Sequence, residues 1–286
     1  MTDVRAVARR VVPRRLYLAL RQPRAELAWL AHGAAFRLGR VRRLEMGRGW
    51  QVTCHPASVA VFEAFRDDPE YRAEYDAFVD VCRPGMVLLD IGANMGFFTV
   101  AACHFGGPEA RVVAVEPSAR PAAVLAANVA LADCADAVTL VHQAAGAGDR
   151  RLPVLLEGAA GGFQLVRPLE ARTDATSVEA TTIDELVERT GLSPTHVKID
   201  VEGYEDAVLA GGARLLPRCR PVVLLELHGH LLRAAGRRPE AVLELLADLG
   251  YDDLSWQGRP VTSSEAAARW VARLVCRASS GASARP

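Results

Sequence analysis

Two acidic residues at the ends of successive apolar runs are the first sign of chemistry in this 286-residue chain. "LLDIGANMGFF" (88–98) carries Asp90 just ahead of a turn built on Gly92, Ala93, Asn94 and Gly96, and "RVVAVEP" (111–117) ends on Glu116 and Pro117. A dinucleotide turn needs G-x-G-x-x-G packed on a pyrophosphate at a helix N-terminus. Here Asp90 stands where the first glycine would be, and its carboxylate would repel that pyrophosphate. No GxxxxGK[ST] phosphate loop occurs either. A ligand with a positive charge and no phosphate fits better, and S-adenosylmethionine has that chemistry. Asp90 would face its ammonium, Gly92 would let backbone approach it, and Asn94 would hydrogen-bond the methionine part. Glu116 follows Gly96 at the spacing from which a carboxylate grips both ribose hydroxyls.

A second group lies further along. In "KIDVEGYE" Lys198, Asp200 and Glu202 alternate, so a strand that persisted through them would point all three to one face. In "ELHGH" Glu226 and His228 share a face in the same way, and adjacent strands would bring Asp200 and His228 together. Group transfer from such a cofactor requires the acceptor atom to be positioned and its proton removed, by a carboxylate or a histidine. The expected base is His228 or Asp200, with Glu202 orienting it. Lys198, the only lysine, is expected to neutralise Asp200 or Glu205. Asp200, Glu202 and His228 have donor types for a divalent cation, but no ligand motif such as HExxH occurs, and no metal is expected. His104, His142, His196 and His230 read as packing or surface residues.

The elements that must carry these groups alternate strand and helix. Strands are expected at "MVLLDIG", "RVVAVEP", "VTLVHQAAG" (138–146), "HVKIDVEG" (196–203) and "PVVLLELH" (221–228), in runs apolar enough to be covered on both faces. Ser118 starts a helix, Thr182 and Glu185 form a capping box for another that stops at Gly191, and Pro239 opens a third. "WQVTCHP" reads as a short strand, residues 58–82 as helix broken near Pro69, and "YDDLSW" and "ARLVCRAS" as strands that close the sheet. The segment 147–195 is an insertion with hairpin strands at "RLPVLLE" and "FQLV". The main α/β domain is expected over 49–280, after a basic helical extension (1–48) and before a disordered tail (281–286).

"LLDIGANMGFFTV", "VVAVEPS", "TTIDEL", "VKIDVEGYEDAVLAGG" and "PVVLLELH", in this order and spacing, resemble the FkbM family of S-adenosylmethionine-dependent methyltransferases over roughly 80–280. The resemblance implies an α/β, Rossmann-like class I methyltransferase fold. Its mostly parallel sheet has seven strands, the last antiparallel, with helices on both faces. It implies O-methylation of a sugar, glycan or polyketide-type metabolite. It carries over Asp90, Gly92, Asn94 and Gly96 to the methionine end and Glu116 to the ribose, and places adenine near Gln143 and Ala144. The acceptor pocket is expected between the N-terminal segment, the 147–180 part of the insertion and the loop after His228, and Phe97, Phe98, Phe163 and Leu165 either line it or simply pack. The rival readings are a non-catalytic cofactor-binding scaffold and, less favoured because of Asp90, a nucleotide-dependent oxidoreductase.

Composition bounds the partners. The 34 basic and 34 acidic residues cancel, so nothing favours nucleic acid. Residues 1–48 are an exception, with twelve arginines against Asp3, Glu26 and Glu45; they read first as a solvated helical extension or a lid, and alternatively as an arm that docks on an acidic membrane surface or partner. No apolar run is long enough to span a bilayer. Six scattered cysteines without a CxxC pair point to reduced thiols and the cytoplasm.

Overall fold

Strands that are apolar on both faces need a helical layer on each side. The computed structural model describes residues 23–156, 163–165 and 176–279. The expectations for residues 1–22, for the glycine-rich link at 158–162 and for the tail at 281–286 lie outside these. The strands are β1 Arg42–Gly47, β2 Trp50–Cys54, β3 Val87–Ile91, β4 Arg111–Val115, β5 Val138–Val141, β6 Ala144–Ala145 and β7 Arg151–Leu156. They continue as β8 Phe163–Leu165, β9 Thr176–Thr181, β10 His196–Ile199, β11 Val222–Leu227, β12 Tyr251–Trp256, β13 Arg259–Pro260 and β14 Ala272–Ala278. The main sheet has the order β13-β12-β14-β11-β10-β3-β4-β5. The five strands from β11 to the edge strand β5 are parallel, and β14 runs antiparallel to both β11 and β12. This is the expected seven-stranded sheet with an added two-residue edge, β13.

The chain leaves β3 toward β4 and β5 on one side and returns through β10 and β11 on the other. The strand order therefore reverses between β3 and β10. Open α/β sheets hold their ligands in the crevice at the C-terminal strand ends of such a switch point. Leu89, Ile91, Val113, Val197, Ile199 and Val223 face one layer. It is built from α6 Ile183–Thr190, α7 Glu205–Ala210, α8 Leu215–Cys219, α9 Gly229–Ala234, α10 Pro239–Asp248 and α11 Ser263–Ala267. Leu88, Val112, Ala114 and Leu224 face the other. That layer is aromatic: Phe62, Phe65, Tyr75, Phe78, Phe97 and Phe98 come from α2 Val59–Asp67, α3 Pro69–Val81 and α4 Phe97–Gly106. Alternate residues of one strand thus serve opposite layers, as the two-residue period requires.

Local signals explain the boundaries. Asp68 caps α3 by accepting from the N–H groups of Glu70 and Tyr71, with Pro69 in the first turn, so the helix breaks where the sequence expects it. Thr182 and Glu185 form the capping box of α6, and Gly191 ends it at φ +67°. α5 (Ala119–Leu131) follows Ser118.

Three expectations are corrected. Residues 42–47, placed in the helical extension, form strand β1 paired with β2, and the described helix α1 covers only Pro23–Arg37. Leu44 and Met46 are buried while Arg43 and Glu45 are exposed, a two-residue alternation that a helical reading overlooks. "VTLVHQAAG" is not one strand: β5 stops at Val141, and Ala144–Ala145 pairs with β9 in a separate four-stranded sheet. The fourth strand of the core ends at Ile199, and Glu202 adopts φ +50°, so strand alternation does not place Asp200 and Glu202.

Candidate active site

The glycine turn is tied to its neighbours by backbone. Gly92 N–H and Ala93 N–H both donate to Val115 O, at 2.9 and 3.0 Å, and Asp200 N–H donates to Ile91 O at 3.0 Å. Gly92 (φ +83°) is required for a different reason than ligand approach, because a Cβ there would lie 1.8 Å from Asp200 O. Gly96 (φ +86°) likewise leaves room for Leu125, which a Cβ would meet at 2.3 Å. The glycines let the β3 turn close onto the loop after β10. Asn128, buried in α5, supports the turn by donating to Met95 O at 2.7 Å.

Both expected carboxylates sit at this turn, and both are buried. Asp90 Oδ2 accepts from Thr99 Oγ1 at 2.6 Å; burial pushes its pKa up to about 6 against the pull of that bond and of Lys198. Glu116 spans the two turns: Oε2 accepts from Asn94 N–H at 2.9 Å and Oε1 from Ser118 N–H at 2.7 Å. Burial still raises its pKa to about 8, and no arginine or lysine among the described residues pairs with it. Each Glu116 oxygen keeps a lone pair, so two hydroxyls of one diol would complete it. Pyrophosphate would meet two buried carboxyl groups, of which Glu116 has no cationic partner among the described residues. This donor set fits a phosphate-free nucleoside with an ammonium group. Pro117 is buried beside Glu116, and Ala144 is buried in its ladder with Ala180. Gln143 accepts from both Nη atoms of Arg189 at 3.1 Å.

On the aromatic face of the sheet, charged groups from four adjacent strands form a row. Lys198 stands beside Asp90 in register, and Glu226 stands beside Arg273. Glu74 of α3 covers the row, taking Lys198 Nζ at 3.1 Å on one oxygen and Arg273 Nε at 3.0 Å on the other. Arg273 Nη2 reaches Glu226 at 2.8 Å, and Lys198 reaches Asp200 at 3.5 Å. Lys198 therefore pairs with Glu74 and Asp200, and not with Glu205.

His228 closes the group at the strand ends. Its Nδ1 bonds Glu205 Oε1 at 2.8 Å. Its Nε2 faces Glu202 at 3.5 Å, with Asp200 and Glu226 each at 3.9 Å. The orienting partner of His228 is thus the fully buried Glu205, while Glu202 is half exposed on the opposite ring nitrogen. Burial alone would lower the imidazole pKa. The Glu205 bond and the charges of Asp200, Glu205 and Glu202 outweigh it and raise it to about 10. Burial also opposes ionisation of Asp200, but Lys198 and His228 hold its pKa below the ordinary value. Glu226 is driven well above its ordinary value by burial and by Asp200 and Glu74, since so many close carboxylates cannot all ionise. Asp200, Glu226 and His228 bring ligand atoms within 4.8 Å of one another, but Lys198 and Arg273 already pair with the two carboxylates.

Residues 90–252, more than half the chain, match the methyltransferase FkbM domain. The chain belongs to the FkbM methyltransferase family. Similar solved structures include the methyltransferase FkbM from Methylobacillus flagellatus KT (15% identity, 90% of this chain and 60% of that chain, TM-score 0.45). Others are the O-methyltransferase from Bacillus cereus in complex with SAH (16%, 70% and 77%, 0.41) and precorrin-6y C5,15-methyltransferase from Geobacter metallireducens GS-15 (18%, 65% and 72%, 0.41). This chain thus spans less than two thirds of the Methylobacillus protein. No curated protein matches the sequence.

Several parts of this FkbM methyltransferase escaped the sequence reading. Glu74 had a signal, because it falls within the apolar stripe Tyr71, Tyr75, Phe78 of α3. Arg273 lies on the same strand face as buried Val275. Glu205 looked like an ordinary acidic residue in the first turn of a helix. Of the two readings for Phe97 and Phe98, pocket lining or packing, the structure shows packing: Phe97 stacks on Phe65 at 4.0 Å, and Phe98 lies against Phe78 and under Lys198. The side chains of Phe163 and Leu165 lie outside the described set. Among the described residues no helix is long and apolar enough to cross a membrane.

Proposed function

We propose that this FkbM methyltransferase transfers a methyl group from S-adenosylmethionine to a hydroxyl of a small-molecule or glycan acceptor of sugar or polyketide type, with His228 as general base. The observation that carries the reading is contact between two halves of one site. The glycine turn holding Asp90 packs on the backbone of Asp200, and Asp200 faces the ring of His228. S-adenosylmethionine, when bound, supplies an electrophilic methyl group on a sulfonium. Asp90 and Asn94 hold its methionine end, and Glu116 holds the ribose diol. The adenine is assigned to Gln143 and Ala144, following the family resemblance. Glu205 fixes Nδ1 of His228 and leaves Nε2 to take the acceptor proton. Asp200, kept ionised by Lys198, then faces the imidazolium as its counter-charge.

An imidazole of pKa about 10 is mostly protonated at neutral pH, so turnover rises with pH across the neutral range. A base at Asp200 would instead give a flat profile there. The six free thiols support a reducing compartment, the cytoplasm.

Calorimetric titration with S-adenosylhomocysteine, with NAD as control, tests the cofactor half. Binding of S-adenosylhomocysteine alone, weakened in Asp90→Ala and Glu116→Ala, is expected; preference for NAD overturns the reading. His228→Ala is expected to retain that binding and lose about 10²–10⁴-fold in methyl transfer to a hydroxyl acceptor. Intact turnover in that variant removes His228 as base.

A further inference from the structure

Helix α1 is apolar on the side it turns to the protein and on the side it turns to solvent. Its inner side is docked: Glu26 makes two bonds to Arg120, at 2.7 and 2.8 Å, the Arg120 guanidinium lies 5.2 Å over the Trp29 ring, and Phe36 packs on His55 at 4.4 Å. Its outer side carries Leu27, Leu30, Ala31, Ala34 and Leu38, all exposed, at the spacing of one helical face. The three leucines are 65%, 60% and 74% exposed, and no described residue covers them. Such a stripe on a docked helix requires a partner surface.

The charges around it say which. Arg24 and Arg37 flank the stripe on either side, and the chain runs on through exposed Arg40, Arg42 and Arg43. No acidic residue lies on the outer face, and Glu26 is turned inward to Arg120. We propose that the outer face of α1, with Arg40 to Arg43, docks on an anionic phospholipid bilayer. The leucines enter the boundary between headgroups and acyl chains while the arginines meet lipid phosphates.

Two other occupants fit less well. Residues 1–22 hold six arginines and one aspartate, so packing them on this stripe would gather like charge, whereas at a bilayer they add to the attraction. A second copy would set the same arginine rims against each other. The stripe is also far smaller than the roughly 800 Å² per partner of a stable interface.

The test is sedimentation of the full chain with vesicles of phosphatidylglycerol and phosphatidylcholine, against phosphatidylcholine alone. Binding to the acidic vesicles only is expected. Arg40→Ala, Arg42→Ala and Arg43→Ala together are expected to lower partitioning about a hundredfold, at roughly fivefold per arginine. Leu27→Asp with Leu30→Asp is expected to abolish it while S-adenosylhomocysteine binding and the melting temperature stay within error. Absence of binding by the unaltered chain overturns the proposal. So does equal binding by the leucine variant, which would assign the attraction to residues 1–22, or a fall in that variant's oligomeric mass on ultracentrifugation, which would make the stripe a self-association surface.

Discussion

Glu205→Gln separates a working dyad from a static ion pair. Glutamine keeps the shape and can still accept from Nδ1 of His228, but it removes the one buried negative charge in direct contact with the ring. In the unaltered protein the imidazole pKa stands at about 10. Against an ordinary value near 6.5, that corresponds to roughly 5 kcal/mol between the protonation states. About one ring in three hundred is then neutral at pH 7.5. Losing an adjacent opposite charge shifts a pKa by about 1–3 units, so the variant should titrate near 7–9. Histidine NMR titration reads the shift directly, and the pH profile of kcat/KM should move its acid limb down by the same amount. Stability gives an independent check. Because the folded pKa is raised above the unfolded one, this imidazolium stabilises the fold fully below about pH 6.5, and that contribution is lost as pH rises through about 10. The melting temperature should therefore fall between neutral pH and pH 10 in the unaltered protein, and fall less in Glu205→Gln. An unmoved acid limb, together with an unmoved imidazole pKa, would refute the assignment of Glu205.

Three further outcomes follow from the geometry. Glu116→Gln replaces a buried carboxyl group that no described cation compensates; it should leave the melting temperature unchanged or higher, yet weaken S-adenosylhomocysteine binding by about 10–100-fold through loss of one of the two oxygens offered to the ribose diol, as measured by calorimetry. Phe97→Ala should destabilise the fold by about 3–5 kcal/mol in urea melts, and the milder Phe97→Leu should leave the acceptor KM unchanged, because the ring belongs to the core and not to a pocket. Methyl transfer should survive dialysis against EDTA, since the carboxylates of the Asp200, Glu226 and His228 group are already paired with Lys198 and Arg273; activity restored only by added Mg²⁺ would count against that.

The sequence carried the parts of the site that strands end on. Asp90 and Glu116 terminate apolar runs whose period is plain, and a polar group at such an end has no place but the crevice. His228 and Asp200 were legible for the same reason, although the route was wrong: the strand stops at Ile199, and a left-handed turn at Glu202 brings the groups together. What could not be read were partners fixed by long-range packing. Nothing near His228 in sequence announces that Glu205, at the start of a six-residue helix, will point at its ring. Phe97 and Phe98 stayed open between two readings because an aromatic pair beside a glycine turn looks the same whether it lines a pocket or fills the layer beneath the sheet. Only the packing of Phe65 and Phe78 decides it.

The charged row also explains why one lysine persists in a chain whose every other basic residue is arginine. Lys198 is 2% exposed, with its ammonium between Glu74 and Asp200 and 4.6 Å over the Phe98 ring. That position asks for a compact point charge. Arg273 uses its planar fork differently, joining Glu74 to Glu226. Glu74, accepting from both cations, makes the two a single unit. Two carboxylates, each 3.9 Å from the imidazole, stand in opposite states, Asp200 held ionised and Glu226 driven toward protonation. An ionised Asp200 facing Nε2 is what a newly formed imidazolium needs. Yet Glu74 precedes and Arg273 follows the region matched by the FkbM domain. The segments flanking that region therefore contribute side chains to the charged row, Glu74 to Lys198 and Arg273 to Glu226.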